Sequence, residues 1–139
     1  MRVIHVPYCF HPDPVGGTEL SVQALIREQR RLEIEGIVAA PGEQNQVYVN
    51  QNPRAVYGEG DPAAAAAFGR ILDDEQPDVV HLHAYTAGVS LRLAREVKRR
   101  RLPLVFTYHT PTVTCPRGTL LRWGNQVCDG RLDPSLCTR

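Results

Sequence analysis

Arg2-Val3-Ile4-His5-Val6 opens the chain, and Gly16-Gly17-Thr18-Glu19 follows after an irregular Pro-rich loop from Pro7 to Val15. The first run is short and apolar, as a buried strand requires. The glycine pair leads into a long amphipathic pattern. Strand, loop, glycine pair and helix start form the opening of an α/β sheet domain. In such domains ligands bind beyond the carboxyl ends of the strands. A helix N-terminus carries free N–H groups and partial positive charge, which suits phosphate. Glycine there lets a ligand approach the backbone with no Cβ in the way. The same pair also suits a plain turn into a helix, and the pair alone does not separate the two readings.

Outward from this stretch, strand and helix patterns alternate. A helix is expected from about Thr18, its N-cap, to Glu33, with Val22, Leu25, Ile26, Gln29 and Leu32 on one stripe. Arg27, Glu28, Arg30 and Arg31 form its solvated face. Gly36 ends that helix, and Ile37–Ala40 reads as a second strand before the Pro41-Gly42 turn. Val47–Val49 and Ala55–Tyr57 are short strand candidates. Asp61-Pro62 starts a second helix, with Pro near the position where its missing N–H costs nothing; Ala64, Phe68, Ile71, Leu72 and Glu75 mark its inner stripe. Val79–His83 is a strand. A third helix is expected from about Thr86 to Arg101, with Ala87, Ser90, Leu91, Ala94 and Val97 inward. Leu104–Tyr108 reads as another buried strand, ending at His109. The alternation predicts a parallel sheet covered by helices on both faces. It divides the chain into an α/β domain over residues 1–109 and an irregular Cys/Pro/Gly-rich excursion over 110–139, expected to be its least ordered part.

The 139 residues suffice for one domain with a core, and a formal net charge of +1 gives no electrostatic case for nucleic acid. Lys98-Arg99-Arg100-Arg101 is a local exception. It suits a helix C-terminus, and it also suits a peripheral contact with anionic lipid or a phosphorylated substrate. No apolar run reaches the roughly 20 residues of a spanning helix, and no signal-peptide pattern precedes the first strand, which points to the cytoplasm.

Three features converge on one edge of the expected sheet: the glycine pair after the first strand, His81 and His83 at the end of the third, and His109 after the fourth. His81 and His83 lie two apart, so they share a strand face. With no carboxylate nearby they give little support to a catalytic metal. Cys115, Cys128 and Cys137 are spaced unlike the paired cysteines of zinc sites; His109 or Cys9 would have to complete a set of four. Free structural thiols or an oxidised pair are the other readings, and no metal or cofactor is expected.

These motifs together resemble the N-terminal half of a retaining, GT-B-type glycosyltransferase of family 4 (group 1). The matching pieces are Gly16-Gly17-Thr18-Glu19 after the first strand, Asp78-Val79-Val80-His81-Leu82-His83, and Val105-Phe106-Thr107-Tyr108-His109-Thr110. They occur in the family's order across essentially the whole chain. Cys115-Pro116-Arg117-Gly118, Cys128-Asp129-Gly130 and Cys137 resemble a cysteine-bearing insertion in part of that family. The resemblance implies a Rossmann-like domain and a nucleotide-sugar donor whose pyrophosphate faces Gly16 and Gly17. It places His109 beside the transferred sugar as the catalytic candidate. Thr18, Glu19, His83 and Tyr85 become acceptor-pocket candidates. It also implies transfer with retention and without a metal, the donor phosphate helping to deprotonate the acceptor.

The Glu-x7-Glu element of the family's donor-binding domain has no counterpart here. The expectation is therefore an incomplete acceptor-side domain, inactive unless a donor-binding domain is supplied in trans. A non-catalytic α/β module holding a sugar or phosphate, and a metal- or redox-responsive cysteine tail, are the competing readings.

Overall fold

The computed structural model describes residues 1–8, 10, 16–40, 60–85, 88–109, 111, 115, 119–131 and 133–137. The strand candidates at Val47–Val49 and Ala55–Tyr57, and Cys9, lie outside the described residues. The chain forms two compact units, Met1–Thr107 and Tyr108–Arg139.

The first unit contains β1 (Arg2–Val6), α1 (Gly17–Arg31), β2 (Glu35–Val38), α2 (Pro62–Glu75), β3 (Val79–Leu82), α3 (Leu91–Arg99) and β4 (Leu104–Phe106). Its four strands are parallel in the order β2-β1-β3-β4, a Rossmann-like α/β arrangement. The register sets Ile4 beside Ile37 and Val80, and His5 beside Val38 and His81.

Strand alternation divides the sheet into two chemically different faces. Ile4, Val6, Val80 and Leu82 join Ala64, Ala65, Phe68 and Leu72 of α2 and Leu93 and Val97 of α3 in one apolar core. The opposite face carries Val3, His5, Val79 and His81 on β1 and β3. There α1 packs, with Val22 and Ile26 buried and Gln29 bonded to His5. Helices thus cover both faces. Gly36 lets α1 lie close against β2: a Cβ at that position would stand 2.9 Å from Ile26 Cγ1.

Capping chemistry sets the helix boundaries. Asp61 accepts hydrogen bonds from the N–H groups of Ala63 and Ala64, and Pro62 opens α2. α1 begins earlier than expected, with Gly16 as N-cap, so Thr18 lies inside the first turn. The side chain that caps it is Glu19, whose Oε2 accepts from the Gly16 N–H at 2.7 Å. α3 begins later than expected. Ser90 is its N-cap, with Oγ accepting from the Arg92 N–H at 3.2 Å. The inner stripe of α3 is therefore Leu93 and Val97, while Leu91 is exposed.

Across the α2–α3 interface, Arg100 donates to both carboxylate oxygens of Asp73 at 2.7 Å and to the Gly69 carbonyl at 3.0 Å. It also reaches Glu96 at 2.8 Å, and Arg99 pairs with the same carboxylate. One member of the basic run is thus committed to tying two helices together. β4 differs from the buried strand expected here: Leu104, Val105 and Phe106 are 42%, 46% and 43% exposed because β4, like β2, is an edge strand among the described residues.

The described residues of the second unit include three short elements. β5 (Leu121–Arg122) and β6 (Gln126–Val127) pair antiparallel, and α4 spans Pro134–Cys137. Gly124, at φ 81°, supplies the left-handed backbone of the connecting turn. No helix among the described residues is long and apolar enough to cross a membrane.

Candidate functional site

The strand order reverses between β1 and β3. The chain leaves β1 through α1 to reach β2 on one side, then crosses back through α2 to β3 on the other. The carboxyl ends of neighbouring strands that diverge in this way form a crevice. The loop leading to Gly16-Gly17 leaves β1 there. His83, Ala84 and Tyr85 leave β3 there. The topology therefore brings the glycine pair and the His-x-His segment to adjacent strand ends. His109 lies in the second unit, three residues past the end of β4.

The two glycines differ. Gly16 has φ −105° and ψ −170°, ordinary extended backbone, and a Cβ there would come 3.0 Å from Glu19 Oε2. Gly17 is the first helical residue, and a Cβ there would meet no atom of the described residues within 4 Å. Open space at Gly17 leaves room for a ligand to approach the first-turn N–H groups. Glu19 is buried and bonded to the Gly16 N–H, so it holds the loop-to-helix junction.

The chemistry beneath the crevice is a cluster of three imidazoles. The parallel register places His5 and His81 side by side on one face, and His83 follows two residues along the same strand direction. His5 and His83 are buried, whereas His81 is partly exposed. His5 Nε2 donates to Gln29 Oε1 at 2.8 Å. That tautomer leaves a lone pair on His5 Nδ1, which faces His83 Nε2 at 3.1 Å and accepts its proton. His81 Nε2 meets Thr107 Oγ1 at 2.7 Å. The His81 and His83 rings lie tilted by 34° with centroids 3.9 Å apart, and the His5 ring lies 5.3 Å from each. Burial lowers the His5 pKa from its ordinary 6.5, partly offset by the bond to Gln29, so the ring is held neutral at neutral pH.

His5 is the residue that sequence reading passed over. Its pairing with His81 follows from β1 and β3 being neighbours, which the 76 positions between them in sequence conceal. A sizeable cavity lies elsewhere. It is about 640 Å³, sits between α1 and β2, and is lined by Phe10, Leu20, Gln23, Ile26, Arg27 and Val38; no histidine borders it.

The family profile described as "Glycosyl transferase 4-like domain" matches residues 16–136. The chain belongs to this family. The match takes in the glycine pair, the His-x-His segment, His109 and two of the tail cysteines, Cys115 and Cys128. No curated protein matches the sequence. Among solved structures, the glycosyl transferase 4-like chain is similar to the S. aureus MnaA–UDP co-structure, with a TM-score of 0.49 and 15% sequence identity. The similarity covers 77% of this chain, which spans 29% of the length of that protein.

Proposed function

We propose that this glycosyl transferase 4-like chain is the acceptor-side part of a cytoplasmic retaining glycosyltransferase, active together with a donor-binding domain. Membership of the family, over a stretch that includes each candidate residue, is the observation that carries the reading. The topology supports it: the glycine loop and the His-x-His segment leave adjacent strands where the order reverses.

In this reading the first-turn N–H groups behind Gly16 and Gly17 bind the diphosphate of a nucleotide-sugar. Open space at Gly17 lets a phosphate oxygen come within hydrogen-bonding distance of the backbone. His109 binds a hydroxyl of the transferred sugar. Tyr85 and His83, with Thr18 and Glu19, shape the acceptor side. The acceptor oxygen forms the new glycosidic bond as the bond from the anomeric carbon to the phosphate breaks. The acceptor proton passes to the departing phosphate, so no protein nucleophile is required.

The test is to mix the chain with a donor-binding domain of the same family and measure sugar transfer from nucleotide-sugars. Transfer that falls about 100-fold or more in His109→Ala, on the scale of a lost transition-state contact, supports the reading. Donor binding without turnover in every pairing would instead favour a non-catalytic binding module.

A further inference from the structure

We propose that His5, His81 and His83 form a binding site for a zinc-class divalent cation, with a water as the fourth ligand. The inference is independent of sugar transfer and rests on the geometry of three side chains.

One ring nitrogen of each histidine lies within 4.8 Å of the others. A tetrahedral zinc with Zn–N bonds of about 2.0–2.1 Å sets its ligand nitrogens roughly 3.3 Å apart. His5 Nδ1 and His83 Nε2 are already 3.1 Å apart. The longest edge must shorten by at most about 1.5 Å, within reach of imidazole rotation because the ring torsion has a broad minimum.

The outer contacts fit the same role. Metal-bound histidines usually donate their second N–H to a fixed acceptor, which orients the ring. His5 donates Nε2–H to Gln29 Oε1, leaving Nδ1 for the metal. His81 has Thr107 Oγ1 on Nε2. Two of the three rings are thus supported from behind. The His5–His83 bond is the metal-free substitute: the proton between the two nitrogens leaves, or moves to the far side of the His83 ring, as the cation enters. Access is from the His81 side, since His81 alone of the three is partly exposed.

Three imidazoles without a thiolate or carboxylate favour zinc, cobalt, nickel or copper over magnesium or calcium. Such a cation would join β1 to β3 directly under the strand ends.

The experiment is titration of the metal-stripped 139-residue chain with Co²⁺ and Zn²⁺, following cobalt absorption in the visible and zinc by competition with a chromogenic chelator. One equivalent is expected to bind, with the intense cobalt bands of a four-coordinate site. His81→Ala, at the partly exposed position, is expected to weaken binding by at least about 100-fold, and Gln29→Ala by about 10- to 100-fold. A variant with Cys9, Cys115, Cys128 and Cys137 all changed to Ser is expected to bind as the parent does. Circular dichroism of each variant checks that it folds. The proposal is overturned if the folded parent binds less than a tenth of an equivalent at micromolar metal. It is equally overturned if binding survives His81→Ala, or disappears with the cysteines.

Discussion

Gly17 separates a structural glycine from a functional one. A methyl group there meets no atom of the described residues within 4 Å, and alanine is the better helix former by about 1 kcal/mol. Gly17→Ala is therefore expected to hold or raise the melting temperature. If the first turn receives a diphosphate, the same change crowds the ligand and weakens nucleotide-sugar binding by about tenfold or more, measured by calorimetry. Unchanged binding would leave Gly17 as a helix start alone. The neighbouring residues show where local sequence signals compete. Thr18 and Gly16 both satisfy the composition of an N-cap, and the choice goes to Gly16 because Glu19 reaches back to its N–H. The His81–His83 alternation was legible because strand geometry fixes it. Their partner His5 was not, since a strand's own sequence tells which face a side chain takes but not which strand lies beside it.

At the scale of elements, the α2–α3 contact has a definite pH response. Hydrogen bonds from Arg99 and then Arg100 hold the Glu96 carboxyl below its ordinary 4.5, against the opposing effect of burial. Arg100 likewise holds the Asp73 carboxyl below its ordinary 3.8. A carboxylate whose pKa is lowered by folding contributes stability above its unfolded pKa and loses it as pH falls through the folded value. Arg100→Ala is expected to lower the melting temperature at pH 7 by a few degrees, and the difference should shrink between about pH 4.5 and pH 3 as the carboxyls protonate. A constant difference across that range would mean that Arg100 acts by packing its stem. Helix existence and order were readable from 3.6-residue periodicity; α3's start was not. Ala87 and Ser90 continue the apolar spacing, so period alone extends the helix past the serine that caps it. β4 was misread for a related reason. An apolar run looks the same in an edge strand as in a central one, because burial depends on neighbours outside the run.

At the scale of the molecule, the edge formed by β4 exposes three apolar side chains in a row. Leu91 and Leu104, with Ala94 and Leu102, line a depression of about 430 Å³ beside it. Exposed edges with apolar side chains template association with other chains. Leu104→Lys is expected to cost about 1 kcal/mol or less and to reduce concentration-dependent light scattering. Equal scattering in the variant would place any self-association elsewhere. Gly36 reaches further. A Cβ there drives into Ile26, so Gly36→Val forces α1 away from β2, at about 1–3 kcal/mol. Helix α1 is a stiff rod of 15 residues, roughly 22 Å long, and Ile26 lies two to three turns from its start. A push near one end of a rod tilts the other. The glycine turn at its tip would swing out of line with the strand ends, and, if that turn receives the donor as proposed, donor affinity would fall with every crevice residue intact. A lesion at the seam between α1 and an outer strand would thus be felt as a fault at the rim, and a screen for loss of function would find it far from any ligand.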